Sequence, residues 1–166
     1  MARVSPTRLS QLFAAHGSAL VLYARQWVSP AEAEDAVQDV FLKLMAYGSE
    51  PENPAAWLFV AVRNAVLTAA RGKRRRQARE QQVAMNRSEM FQTRIEDTVD
   101  ARLAQQAIET LPPDQRELLV MRIWGGLSYS EMAEVTGRSV TGVFEQYKRG
   151  LATIKSKLEC PCKTNH

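Results

Sequence analysis

Cysteine is nearly absent. The 166 residues hold two, Cys160 and Cys162, both at the C-terminal end. Their spacing is too short for an ordinary structural disulfide, so no disulfide framework staples this fold, which suits a reducing compartment. Histidine is as scarce: His16 and His166 are far apart in sequence and have no obvious partner. No HExxH, GxSxG or GxxxxGK[ST] pattern occurs, which removes the common zinc-hydrolase, serine-hydrolase and phosphate-loop chemistries. No stretch reaches the roughly 18 apolar residues of a membrane span. The longest candidate, around Trp57 to Ala70, is interrupted by Arg63 and Asn64. The first residues do not show the basic start and apolar run of a secretory leader.

Apolar residues and positive charge are what the chain does have. Hydrophobic content is 45%, enough for a packed core. The net charge is +4 and the sequence pI about 9.3, a balance that favours polyanions by long-range attraction. Six of the cations fall in one run: Arg71, Lys73, Arg74, Arg75, Arg76 and Arg79. At the end of an aromatic-bearing helix, such a run is either a solvated edge or a phosphate-binding surface.

Apolar residues recurring at three and four predict helix along most of the chain. Leu9, Leu12, Phe13, Leu20 and Tyr23 mark a first helix, from about Thr7 to Trp27. Ser29-Pro30 predicts an N-cap followed by proline in the first turn, and Val37, Val40, Phe41 and Leu44 form the buried stripe of that helix. The segment YGSEPENP, 47–54, is a break. A third helix starts near Pro54 and ends in the basic run. From about Gln77 to Asp100 the pattern weakens into a polar linker.

The second half resumes at Ala101. Leu111-Pro112-Pro113-Asp114 separates two helices, and Gly125-Gly126 closes the second. Ser128-x-x-Glu131 is a capping box. Gly137 suits the left-handed turn after that helix, and Ser139 can cap a last helix to about Leu158. Helix, glycine turn and longer helix make a helix-turn-helix pattern, packed by Leu127, Met132, Ala133, Val143 and Leu151. An ordinary helical hairpin would share that pattern. Cys160-Pro161-Cys162 with His166 is a weak candidate for a soft-metal site. Against it stands a frayed tail with two free thiols.

Four blocks, taken in order, resemble a known family. Asp35-Ala-Val-Gln-Asp-Val-Phe-Leu-Lys43 resembles the polymerase-binding helix of σ region 2, and Pro54-Ala-Ala-Trp-Leu-Phe-Val-Ala-Val-Arg-Asn64 resembles the promoter-melting helix. Leu111-Pro-Pro-Asp-Gln-Arg-Glu117 and Gly126-Leu-Ser-Tyr-Ser-Glu-Met-Ala133 resemble σ region 4. The chain is similar to RNA polymerase σ factors of the extracytoplasmic-function group, which keep only these two regions.

The resemblance implies an all-α fold of two small helical domains: region 2 over 7–77, a flexible linker over 78–101, region 4 over 102–158 and a tail over 159–166. It implies a non-catalytic transcription initiation factor, without cofactor, in the cytoplasm. Such a factor binds core RNA polymerase, directs it to promoter DNA and helps melt the −10 region. Asp35, Gln38 and Asp39 match polymerase-binding positions. The loop from about Ala46 to Asn53 matches a pocket for a −10 base, and Asn64 matches a position near the −10 DNA. Arg63, Arg71, Lys73 and Arg74 are placed to hold phosphates there. Trp57, beside Leu58, is expected in the core rather than on a stacking surface.

Ser139, Thr141, Phe144, Gln146, Lys148 and Arg149 match positions of the −35-reading helix. Phe144 and Gln146 stand where the family commonly has cations, which predicts weaker or unusual −35 recognition. The linker would run through polymerase. Many relatives are held by an anti-σ partner, which makes one a candidate partner here. Two other readings remain at this point: a helix-turn-helix regulator that does not recruit polymerase, and a metal- or redox-sensing adaptor built on the cysteine tail.

Overall fold

Short polar side chains set where helices start. Ser5, Ser29 and Ser128 each accept a hydrogen bond from the backbone N–H three residues on, at 3.1, 3.3 and 3.2 Å. Asn53 Oδ1 does the same for the N–H of Ala56 and Ser139 Oγ for that of Gly142, both at 3.1 Å. These bonds satisfy backbone donors that a helix start otherwise leaves open. Ser29 with Glu32, and Ser128 with Glu131, are complete capping boxes.

The computed structural model describes residues 3–80 and 99–159. Among these residues lie seven helices and no strand: α1 Pro6–Ala24, α2 Pro30–Ala46, α3 Pro54–Glu80, α4 Val99–Glu109, α5 Pro113–Ile123, α6 Tyr129–Thr136 and α7 Val140–Glu159. The expected all-α architecture is therefore observed. Most of the predicted linker lies outside the described residues, as do Cys160, Cys162 and His166.

Two boundaries differ from the sequence reading. The first helix stops at Ala24, and tighter backbone bonds from Gln26 to Tyr23 and from Trp27 to Ala24 carry the chain to α2. The third helix runs to Glu80, so the whole basic run is helical. Its cations favour helix as well as solvent, since Arg and Lys rank high in helix propensity.

Helices α1–α3 form one module and α4–α7 a second. Tyr23, Leu44, Leu58 and Phe59 are fully buried in the first, and Leu118, Met121, Leu127 and Met132 in the second. These residues belong to one continuous apolar core, because α3 packs on α6 and α1 on α5. Modules this small bury little apolar surface alone, and here each covers part of the other. Phe59 of α3 reaches the α5–α6 turn, where a Cβ on Gly125 would come within 2.8 Å of its ring.

Within the second module, Gly137 takes φ 68° and turns α6 into α7. Val143 and Gly150, seven apart, face inward on α7. A Cβ at Gly150 would lie 3.2 Å from Leu119 Cδ1, so the glycine lets α7 approach α5 closely. Leu151, expected to pack, is 40% exposed. It lies about 100° round the helix from Gly150 and misses the inner face.

Candidate functional site

Three surfaces carry the residues singled out from the sequence. The first is the outer face of α2. Val37, Val40, Phe41 and Leu44 point into the core, which turns Asp35, Gln38 and Asp39 to solvent. Leu42 and Met45 continue the same face at helical spacing and are 58% and 51% exposed. This pair was not foreseen. The face is acidic at its N-terminal end and apolar at its C-terminal end.

The second surface is α3 with the loop before it. Spacings of seven and four place Trp57, Asn64, Arg71 and Arg75 along one outward stripe. Asn64, Arg71, Lys73 and Arg74 are all exposed. Trp57 is only half-buried, and its ring tilts against Tyr47 with centroids 5.5 Å apart. Trp57 packs against the core as expected, and leaves part of its ring exposed beside Tyr47 of the loop. Lys73 and Arg76 turn the other way. Glu32 at the start of α2 feels their charge, after its bonds to Ser29, and is held below the usual carboxylate range.

Arg63 sits at the edge of α3 that meets the second module. Its Nε donates to Glu117 Oε1 at 2.7 Å, and the hydroxyl of Tyr23 donates to the same oxygen at 2.6 Å. Glu117 is 3% exposed. Burial first, then the Glu117 carboxylate, holds the Tyr23 phenol protonated well beyond its usual range. Burial would lower Arg63, but the bond to Glu117 and its charge leave the guanidinium raised. Beside this cluster, Asn53 Nδ2 donates to Glu131 Oε1 at 2.6 Å. Bonds to Ser128 first, then the bond to Asn53, hold that carboxylate below its usual range. Glu117 and Glu131 were not recognised from sequence as partners of the first module.

The third surface is the outer face of α7. Ser139, Thr141, Phe144, Lys148 and Arg149 are exposed, while Gln146 is half-buried and accepts from Gln115 Nε2 at 3.3 Å. Phe144 packs edge-on against Tyr129, which also meets Tyr147. Arg122 lies over Tyr129, and Lys148 over Phe144, at 4.9 and 5.3 Å from the ring centroids. This aromatic cluster with two cations was not anticipated. Three rings from two helices fix the face that a helix-turn-helix offers to a groove.

Comparison with known proteins decides the family. Residues 12–76 match the model of Sigma-70 region 2, and residues 101–154 match Sigma-70, region 4. The chain belongs to the σ70 family of RNA polymerase σ factors. Within that family it is of the extracytoplasmic-function type. It is 28% identical over 129 residues to the ECF RNA polymerase sigma factor EcfG of Rhodopseudomonas palustris (strain TIE-1), covering 76% of this chain and 71% of that one.

Two solved structures share the fold. The σ factor RpoE of Bartonella quintana, in complex with the anti-σ factor NepR, aligns with TM-score 0.74 and 22% identity, over 92% of this chain and 97% of that one. CnrH, in complex with the cytosolic domain of CnrY, aligns with TM-score 0.61 and 24% identity, over 95% and 92%. This σ factor is thus a transcription initiation factor that directs RNA polymerase to promoters. The reading as a regulator without polymerase recruitment gives way to it. Members of the family are non-catalytic. No helix among the described residues is long and apolar enough to cross a membrane.

Proposed function

We propose the following division of labour for this σ factor. Region 2, residues 7–77, docks on core polymerase through Asp35, Gln38 and Asp39, with Leu42 and Met45 adding apolar area. Trp57, Asn64, Arg71 and Arg74 face the −10 strand, with the loop 46–53 as the base pocket. An aromatic ring beside a pocket can hold an unstacked base, and an Asn amide can both donate to and accept from a base edge. Lys73, on the other side of α3, contributes charge rather than direct contact. Region 4, residues 102–158, reads the −35 element through α7. The remaining stretches, 78–101 and 159–166, are linker and tail. The protein works in the cytoplasm without catalysis of its own.

The −35 reading departs from the family habit. Phe144 offers a thymine methyl an apolar contact, while Gln146, engaged with Gln115, must let go to reach adenine. Lys148 and Arg149 supply the phosphate contacts. Both solved relatives were captured with anti-σ factors. Because this chain shares their fold, an anti-σ factor is a proposed partner here too.

The observation that carries this reading is the presence on the first module of two exposed faces: one on α2 bearing Asp35, Gln38 and Asp39, and a cationic, aromatic-bearing stripe on α3. Run-off transcription on genomic DNA tests it. Core polymerase with the protein is expected to start at a discrete set of promoters. An absence of specific starts with active core enzyme would refute the assignment.

A further inference from the structure

The leading turns of α7 hold almost none of the side chains that read purines. Arginine, lysine, asparagine and glutamine are the residues that pair with the N7 edge of guanine or adenine in the major groove. In the first two turns, Gln146 is the one such residue. It is half-buried, and its Oε1 accepts from Gln115 Nε2 at 3.3 Å. Val143 and Gly150 mark the inner face of the helix. Helical geometry therefore turns Thr141, Phe144, Glu145 and Lys148 to the opposite side, and all four are exposed. The first three each have a pyrimidine counterpart. The 5-methyl group of thymine packs against Thr or Phe, and Glu accepts from the N4 amino group of cytosine. We propose that α7 reads the pyrimidine strand of its site, with Thr141 and Phe144 taking thymine methyl groups and Glu145 a cytosine amino group.

The inference rests on the −35 assignment of α7 and deepens it by naming the class of base. The packing behind Phe144 supports it, because a selective contact needs a surface that does not move aside. Phe144 meets Tyr129 edge-on, with centroids 5.3 Å apart and planes at 89°. Tyr129 lies under Arg122, whose Nη1 donates to the Leu127 carbonyl at 2.8 Å. The ring is thus braced through α6 to the turn before it. Val140, one turn earlier and 49% exposed, extends the same apolar surface. Lys148 Nζ stands 5.3 Å from the Phe144 centroid, so this ammonium rests on the ring. Glu145 fits the same logic. A carboxylate on a DNA-facing front repels phosphate at every sequence. Opposite a cytosine amino group it gains a hydrogen bond, so the repulsion is offset only where that base stands. Wrong bases are rejected by the same charge.

The test uses holoenzyme assembled from core polymerase and the full-length protein. A promoter duplex randomised across the −35 stretch is selected for binding, and the selected site is resynthesised with two kinds of base analogue. Deoxyuridine in place of thymidine deletes only the 5-methyl group. 7-Deazapurines on the opposite strand delete only the N7 acceptor. Selected sites are expected to carry thymine and cytosine together on one strand. Each deoxyuridine at a contacted position should weaken binding about three- to fourfold, the effect of one buried methyl group, while 7-deazapurines leave affinity within about twofold. Phe144→Ala should abolish the thymine–uracil difference at one position. Glu145→Gln should move the preference at one position from cytosine toward adenine, which a glutamine pairs through N6 and N7.

Binding that deoxyuridine does not weaken overturns the proposal. If 7-deazapurines weaken it instead, purine edges are read and the −35 assignment stands. An affinity gain from Glu145→Gln that is the same for every base makes that carboxylate a general repulsion and removes the cytosine contact. If Phe144→Ala and the pair Lys148→Ala, Arg149→Ala all leave binding of the selected duplex unchanged, α7 does not meet the duplex, and the −35 assignment falls together with the proposal.

Discussion

The two helices assigned to DNA differ in how they would hold it. On α3 the cations are dense: Arg71, Lys73, Arg74, Arg75, Arg76 and Arg79 fall within three turns. On the exposed part of α7, Lys148 and Arg149 share the face with Glu145 and with a ring cluster. Charge density governs affinity and its salt dependence, whereas side chains reaching base edges govern selectivity. On the proposed assignment, α3 would chiefly hold backbone, and α7, with fewer cations, would chiefly discriminate bases. The difference also extends to access. α7 lies open, while the edge of α3 at Arg63 is closed by the other module.

Removing what joins the surfaces is the severest way to test that contrast. Phe59→Ala deletes a fully buried ring that touches both modules. It should cost about 3–5 kcal/mol of stability. Chemical unfolding is expected to show one transition shifted as a whole. Two separate transitions would mean that the core is not shared.

Charge removal on α3 comes next. Arg71→Ala, Arg74→Ala and Arg75→Ala together should lower single-strand affinity by about 10–100-fold at low salt and flatten the salt slope by about 2 units. The matching pair Lys148→Ala, Arg149→Ala should do less to strand binding and more to duplex binding. Equal effects on both probes would erase the distinction between the helices.

A change on α2 provides the control for both. Gln38→Ala with Asp39→Ala lies on an exposed face, so the helical spectrum should stay normal. Core polymerase affinity should fall about tenfold, a loss of about 1.4 kcal/mol shared by two polar interface residues, with DNA binding by the free protein unchanged. Unaltered co-elution with core enzyme would take these residues out of the interface.

The smallest effect is expected on α7. Phe144→Arg with Gln146→Arg restores two cations and should strengthen low-salt duplex binding by several-fold, about 1 kcal/mol. The gain is limited because Phe144 leaves Tyr129 and Gln146 leaves Gln115. No gain at all would mean that this helix does not meet the duplex where it is placed.

What could be read from the sequence was local. Ser29 and Ser128 announced their helices because a cap acts over three residues. The stripe Val37, Val40, Phe41 and Leu44 oriented α2, and with it Asp35, Gln38 and Asp39. Gly137 marked the turn of the helix-turn-helix. The seam had no such signature. Tyr23 and Glu117 are 94 positions apart and Arg63 and Glu117 are 54. A single glutamate in a helical pattern reads as solvated, and only the docking of α1 on α5 and α3 on α6 buries it. Trp57 packs on the core, but adjacency to Leu58 says nothing of the opposite, exposed edge of a large ring; Leu151 was misplaced because one residue of phase separates it from Gly150.

One further consequence belongs to the continuous core. Apolar groups contributed by both halves of the sequence pack into that core and hold the halves to each other. A version cleaved between Glu80 and Val99 should still migrate as one particle at micromolar concentration. It would come apart on dilution, as any heterodimer does. In such a protein, concentration becomes a control parameter that the intact polypeptide hides.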